Sequence, residues 1–184
     1  MNIKLTNVRL SFPALFEPKK FDEKQAGKPK YSATFILDKK KHAKIIAEIK
    51  AAVQKVLDEK YGKGKMVPAK LKGQLLRDGA EKEDVDGYGK NVMFLSASSE
   101  RRPVVVNRDK SPLNDSDNVV YAGCYVNASI RLWPQDNQYG KRVNAALRAV
   151  QFAAEGEPFG EKAADPDEEF EDVSGGAGDD DMLG

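Results

Sequence analysis

Cysteine, histidine and tryptophan each occur once in the 184 residues, as Cys124, His42 and Trp133. That scarcity excludes much chemistry. A lone cysteine forms no intramolecular disulfide and suits a reducing compartment. With one histidine there is no Cys/His zinc pattern, and any Ser-His-Asp set would have to run through His42. No apolar run approaches the roughly 18 residues of a membrane span. The opening MNIKLTNVRL alternates polar and apolar residues without a signal-peptide core, so a cytoplasmic protein without a membrane partner is expected. Residues 62–65 lack the spacing and hydroxyl of a Walker loop. Residues 114–118 resemble part of a calcium loop but lack its glycine and distal glutamate. Asp78, Glu81, Glu83, Asp84 and Asp86 offer a divalent-metal site for a nuclease, and a solvated acidic loop accounts for them as well. The expectation is a protein that is not an enzyme and holds no metal or cofactor.

What the chain does have is segregated charge. The formal net charge of +1 hides a body, residues 1–154, of +12 and a tail, residues 155–184, of −11. Such asymmetry points to a polyanionic partner for the body and a regulatory or recruiting role for the tail.

The stretch 119–152 carries the clearest pattern. Ala122, Cys124, Val126, Ala128, Ile130 and Leu132 alternate with Tyr121, Gly123, Tyr125, Asn127, Ser129, Arg131 and Trp133. A period of two argues for a strand with one buried face, and Cys124 falls on it as inert packing. From Lys141 onward, Val143, Ala145, Leu147 and Ala149 oppose Arg142, Asn144, Ala146 and Arg148. Residues 134–140 between them have turn composition, so a long antiparallel hairpin is expected.

Elsewhere, residues 3–12 read as a strand with a β-bulge near Thr6 and Asn7. Val8, Leu10 and Phe12 share one parity, and Pro13 ends the pairing. Residues 16–29 read as a loop carrying Phe16, Lys19, Lys20, Phe21, Lys24 and Lys28. Tyr31 to Leu37 alternate as a second strand. Asp38 caps an amphipathic helix over 39–61, closed by Gly62, with His42 at the surface near its start. Residues 62–88 are poorly periodic, with an apolar anchor at Leu75 and Leu76. Further strands fall at 92–97 and 104–106. Five or six antiparallel strands and one inserted helix fit a mainly β fold and a small closed barrel better than an open sandwich, and the five-stranded OB barrel is one member of that class. The organisation is a barrel domain, 1–154, and an acidic tail, 155–184, expected to be disordered.

Binding features outweigh catalytic ones. Glycine precedes lysine at 27–28, 62–63, 64–65, 89–90 and 140–141. Glycine lets a backbone amide approach a phosphate while lysine adds charge, although such pairs are also common in exposed turns. Tyr121, Tyr125, Arg131 and Trp133 occupy the polar parity of one strand, with Arg142 and Arg148 on that of its partner. Exposed rings there would stack unpaired bases at about 1–3 kcal/mol each; the alternative packs this face under the helix. Tyr139 and Lys141 at the hairpin tip, Arg101 and Arg102 before Pro103, and Phe16, Lys28, Lys30 and Tyr31 complete the candidate nucleic-acid contacts. The tail, about 30 Å in mean span as a flexible chain, would reach the basic surface and mimic phosphates, or merely confer solubility.

The opening KLTNVRLSFPALFEPK, the segment YAGCYVNASIRLWPQDNQYGKRVNAALRAVQF, the following GEPFG and the acidic terminus resemble a family of bacteriophage OB-fold single-stranded DNA-binding proteins. The resemblance covers nearly the whole chain. It implies sequence-independent binding of single-stranded DNA in phage replication, recombination or repair. Asp179, Asp180 and Asp181 match the acidic ends of replication single-strand binders, but Met182 and Leu183 stand where those have an aromatic. They form a candidate docking segment for replication or recombination proteins, and self-association on DNA is a further candidate interaction. The rival readings are a strand-annealing recombination mediator, a metal-dependent nuclease and a virion structural protein.

Overall fold

Strand β1 (Asn2–Lys19) runs on well past its expected end, and two interruptions explain how. The first is the expected bulge: Asn7 has a φ of 53°, and the register with β6 (Tyr125–Asn137) jumps between Leu5 and Val8. The Asn7 N–H, freed from the ladder, donates to Asn127 Oδ1 at 2.9 Å. The bend lets the first half of β1 pair with β6 and the second half with β2 (Lys30–Asp38). The second interruption lies at Phe12, whose φ is 44°. Pro13 does not end the strand as expected. The irregularity absorbs its missing N–H, and pairing resumes from Ala14 with Ser32 to Lys19 with Lys30. Phe16 is therefore a strand residue. Phe12 leaves the parity it would have shared with Leu10 and faces out. The computed structural model describes residues 1–20, 27–160 and 166–175.

β2 also pairs with β4 (Val92–Ser99), whose other edge carries the two-residue β3 (Arg77–Asp78). β6 and β7 (Gly140–Ala154) form the expected hairpin. β4 then meets β7 in parallel at Ser98 and Ala146, closing a five-stranded barrel in the order β1, β2, β4, β7, β6. The barrel is of the OB type, and its closing pair is parallel where antiparallel pairing was expected. β5 (Val104–Val106) continues the edge of β7, also in parallel.

Two details of the hairpin differ from the sequence reading. β6 starts at Tyr125, because Gly123 (φ 104°) turns the chain and its carbonyl neighbourhood leaves no room for a Cβ, which would lie 2.2 Å from Glu157 O. Arg148 is an extra residue in β7: Ser129 faces Ala149 while Ile130 faces Leu147. The parity flips there, so Val150 rather than Ala149 points into the core.

Helix α1 (Ala43–Tyr61) begins later than expected. Asp38 Oδ1 accepts from the N–H groups of Lys40 and Lys41, which holds residues 39–41 in a turn. His42 is no free surface residue. Its Nδ1 accepts from the Asp38 N–H at 2.8 Å, leaving Nε2–H to donate to the Asn7 carbonyl at 3.0 Å. The ring ties the helix start to the β1 bulge. Gly62 closes the helix as expected, donating to Asp58 O. The stripe Ile46, Ile49, Ala52, Val53, Val56 and Leu57 joins the barrel interior in one core. Full burial of side chains such as Ile49 and Leu57 contributes about 1.5–3 kcal/mol each. Cys124 lies in the same core, fully buried, and burial pushes its thiol pKa up.

The segment between α1 and β4 wraps the outer wall. Leu75 and Leu76 anchor it on the core, and Tyr88 donates to Ser11 Oγ at 3.0 Å while its ring meets Phe94 edge-on. Residues 156–160, expected to open a featureless tail, instead form a strap. Phe159 N–H donates to Ala122 O, Gly160 N–H to Asp86, and Arg9 donates to Glu157 O while covering the Phe159 ring at 4.3 Å.

Replacing His42 with alanine removes its bond to the Asn7 carbonyl at the bulge and the bond it accepts from the Asp38 N–H at the end of β2. The expected result is a loss of about 1–2 kcal/mol of unfolding free energy in urea with an unchanged m-value; unaltered stability would show the ring to be dispensable.

Candidate nucleic-acid interface

Barrel closure places outward residues of three strands in transverse rows. Ser98 is beside Ala146, and Ala146 is paired with Arg131. Two residues earlier on both strands, Ser96 and Asn144 line one depression, and Asn144 is paired with Trp133. Ser96, Arg131 and Trp133 are exposed, and Ser98, Asn144 and Ala146 are half-buried. The result is an open floor of small and polar side chains crossing β4, β7 and β6, with the Trp133 ring, 42% exposed, at one end. Each floor residue alternates with a core residue, which is why the hydrophobic pattern of these strands also selects the surface.

Two depressions flank the floor. One of about 520 Å³ is lined by Gln74, Arg77, Phe94, Ser96, Arg142 and Asn144. Arg142 Nε is buried there and has no hydrogen-bond partner among the described residues. Such a donor is satisfied when an anion enters. The other depression lies where Arg131, Trp133 and Pro134 meet Lys60 and Glu59 of α1. At the hairpin tip Tyr139 is exposed, and Lys141 lies 5.0 Å from the Tyr61 ring centroid. Tyr61 donates to Asp136; its partial burial and that carboxylate raise its pKa.

The opposite margin gathers the remaining candidates. Lys30 begins β2 opposite Lys19, Tyr31 is paired with Ser99, and Arg101 and Arg102 follow directly. The Arg102 guanidinium lies 5.7 Å from the Phe16 ring centroid. Arg148, pushed out by its bulge, follows Ala146 at the seam. Lys28 is exposed on the loop before β2. Among the described residues the ion pairs are Lys39–Asp78 and Arg77–Glu81, so Arg101, Arg102, Arg131, Arg142 and Arg148 carry charge that no carboxylate offsets.

Tyr121 and Tyr125 do not share this floor. Tyr125 starts β6 eight positions before Trp133, about 26 Å away along a strand. The Arg9 guanidinium lies 5.7 Å from its ring, and Gly156 packs so closely that an added Cβ would lie 3.0 Å from a ring carbon. Tyr121 lies before the strand, its hydroxyl donating to Gly156 O at 2.9 Å and accepting from Gly156 N–H at 3.1 Å. Both rings hold the strap, so the single platform expected from parity is split.

Other candidates settle differently. The five glycines that precede lysine all have positive φ, which makes them turn formers first. Asp78 caps the Ala80 N–H and pairs with Lys39, and these bonds, the lysine's foremost, lower its pKa. Glu81 pairs with Arg77, and Asp86 holds the strap. These three carboxylates are thus committed to separate partners. Phe21, Lys24, Asp179, Asp180, Asp181, Met182 and Leu183 lie outside the described residues. Sequence reasoning missed Ser96, Gln74, Arg77 and Lys60; outward parity on β4 would have found Ser96, whereas the others come from an aperiodic segment and a helix end.

Comparison with known proteins gives one consistent picture. A family model described as Enterobacter phage Enc34, ssDNA-binding protein, matches residues 1–183. A protein designated p50 from Acyrthosiphon pisum secondary endosymbiont phage 1 is 42% identical over 182 residues, 95% of each chain. The structure is similar to the single-stranded DNA-binding protein from bacteriophage Enc34 in complex with ssDNA, with a TM-score of 0.74 and 31% identity, covering 86% of this chain and 89% of that one. It also shares its fold with gp2.5, a single-stranded DNA-binding protein encoded by bacteriophage T7, at a TM-score of 0.52 and 14% identity over 93% of this chain and 97% of that one.

Proposed function

The chain belongs to the family of the Enterobacter phage Enc34 ssDNA-binding protein, and on that premise we propose that it binds single-stranded DNA without sequence preference and without catalysis. The observation that carries this reading is the open floor over β4, β7 and β6, edged by arginines that form no ion pair among the described residues and ended by the exposed Trp133. Phosphates lie against Arg131 and Arg142 on one side and Arg101, Arg102 and Arg148 on the other. Arg142, with its buried free Nε, is the most sensitive of these. Bases stack on Trp133 at one margin and on Tyr31 and Phe16 at the other, with Tyr139 and Lys141 closing over the strand from the hairpin tip. No side chain reads base edges across so small-featured a floor, which suits a protein that coats whatever sequence replication, recombination or repair exposes in the phage cycle.

The strap supports the tail's part. By pinning Gly160 to Asp86 it fixes where the acidic tail leaves the barrel. From there the tail competes for the basic floor with weak or short ligands, and Asp179, Asp180, Asp181, Met182 and Leu183 recruit replication or recombination proteins when longer DNA displaces it. At physiological salt the Debye length is about 8 Å, so this competition needs direct contact.

Trp133→Ala is expected to weaken oligothymidine binding by about 1–3 kcal/mol with stability retained; equal affinity would remove Trp133 from the interface. For the unaltered chain, log affinity should fall against log salt with a slope of about −0.7 per phosphate contacted, and a flat response would argue against phosphate binding. Truncation belongs after Gly160, so that the strap survives. That variant should bind more tightly at low salt and converge on the full chain as salt rises, whereas identical curves would reject competition by the tail.

A further inference from the structure

We propose that Phe12 and Lys82, on the far side of the barrel wall from Trp133, form a second stacking site for an unpaired nucleobase. The proposal rests on the single-strand-binding reading and extends it to a part of the wall where the sequence showed only that Phe12 shares a parity with Val8 and Leu10. Phe12 has a φ of 44°, a region that bulky side chains seldom occupy, and it precedes Pro13, which disfavours that conformation further. A turn that served packing alone would be made more easily by glycine. Here the unfavourable backbone holds a phenyl ring out of the core, 57% exposed. Strain of this kind concentrates where a side chain must be presented.

The surroundings suit a base. Lys82 Nζ lies 5.8 Å from the Phe12 ring centroid, 5.5 Å from that of Tyr88 and 5.0 Å from that of Phe94, so one ammonium is held over three rings. Tyr88 is fixed by its bond to Ser11, and its ring lies 6.5 Å from Phe12. Beside Phe12 opens a mainly apolar cavity of about 510 Å³, lined by Pro13, Val85, Ala122 and Phe159. Asp84 and Asp86 also line it, and Asp86 is occupied by the Gly160 N–H. Those carboxylates repel phosphate, so the backbone of the ligand passes on the Lys82 side while the base enters against the ring.

Geometry joins this site to the floor. Ser11, next to Phe12, is paired with Thr34, and Thr34 with Ser96, which lines one depression with Asn144, paired with Trp133. Four interstrand steps of about 4.8 Å separate the ends of that row, about 19 Å along the wall. Ser11 and Thr34 of that row are buried beneath the segment bearing Tyr88, so a single strand that meets both rings passes over that segment.

The test is fluorescence-anisotropy titration of the full chain with a long oligothymidine, comparing wild type, Phe12→Gly, Phe12→Trp, Lys82→Gln and Trp133→Ala. Phe12→Gly relieves the backbone and should melt no lower than wild type, yet lose about 5- to 150-fold in affinity. Phe12→Trp should bind like wild type, and Lys82→Gln should reduce the salt slope by about 0.7. Wild-type affinity for Phe12→Gly, or equal weakness of the glycine and tryptophan variants, would overturn the site while Trp133→Ala still reports on the floor. Failure of wild type to bind would instead sink the single-strand reading itself.

Discussion

The contact on which the molecule depends is the parallel meeting of β4 and β7 at Ser98 and Ala146. Without it the sheet would be an open, curled ribbon with two long edges, the situation that invites pairing with other chains. With it, β1, β2, β4, β7 and β6 enclose one core. The participants are small, as a tight crossing of two strands requires. Beyond the crossing, β5 takes over the edge of β7, and the bridge from Val106 to Pro112 covers the edge of β5 in turn.

Closure also decides what the outside can do. One opening of the barrel is filled by α1, locked at its start by His42. Much of the outer wall over β2 is covered by the segment that bears Tyr88, leaving Ser11, Ser32 and Thr34 buried although they point away from the core. The span that stays open is the floor from Ser96 to Trp133. Among the described residues Arg131, Arg142 and Arg148 form no ion pair, and the greatest concentration of acid lies in the tail. A body of +12 stays folded against its own repulsion and holds a surface potential that a polyanion relieves.

The hairpin was legible in the sequence for a simple reason. One face is buried, so a period of two had to appear, and it put Arg131, Trp133 and Arg142 outside before any coordinates were known. The bulge at Asn7 was legible because it shifts that period. What escaped depends on contacts distant in sequence. Pro13 reads as a stop, yet the chain steps around it. Arg148 sits in a run whose alternation looks unbroken, although the β6 register shows one residue too many. Tyr121 and Tyr125 matched the parity of a binding face, but a strap from residues 156–160 claims them both. Phe12 shares its sequence parity with Val8 and Leu10, which are core, yet its ring faces out.

The most direct test of a floor centred on the seam is hydroxyl-radical footprinting of the full chain with and without saturating oligothymidine. The account predicts protection of Trp133, Phe16 and Tyr31, with Tyr121 and Tyr125 unchanged. Protection confined to Tyr121 and Tyr125, with Trp133 as reactive as in the free protein, would contradict it.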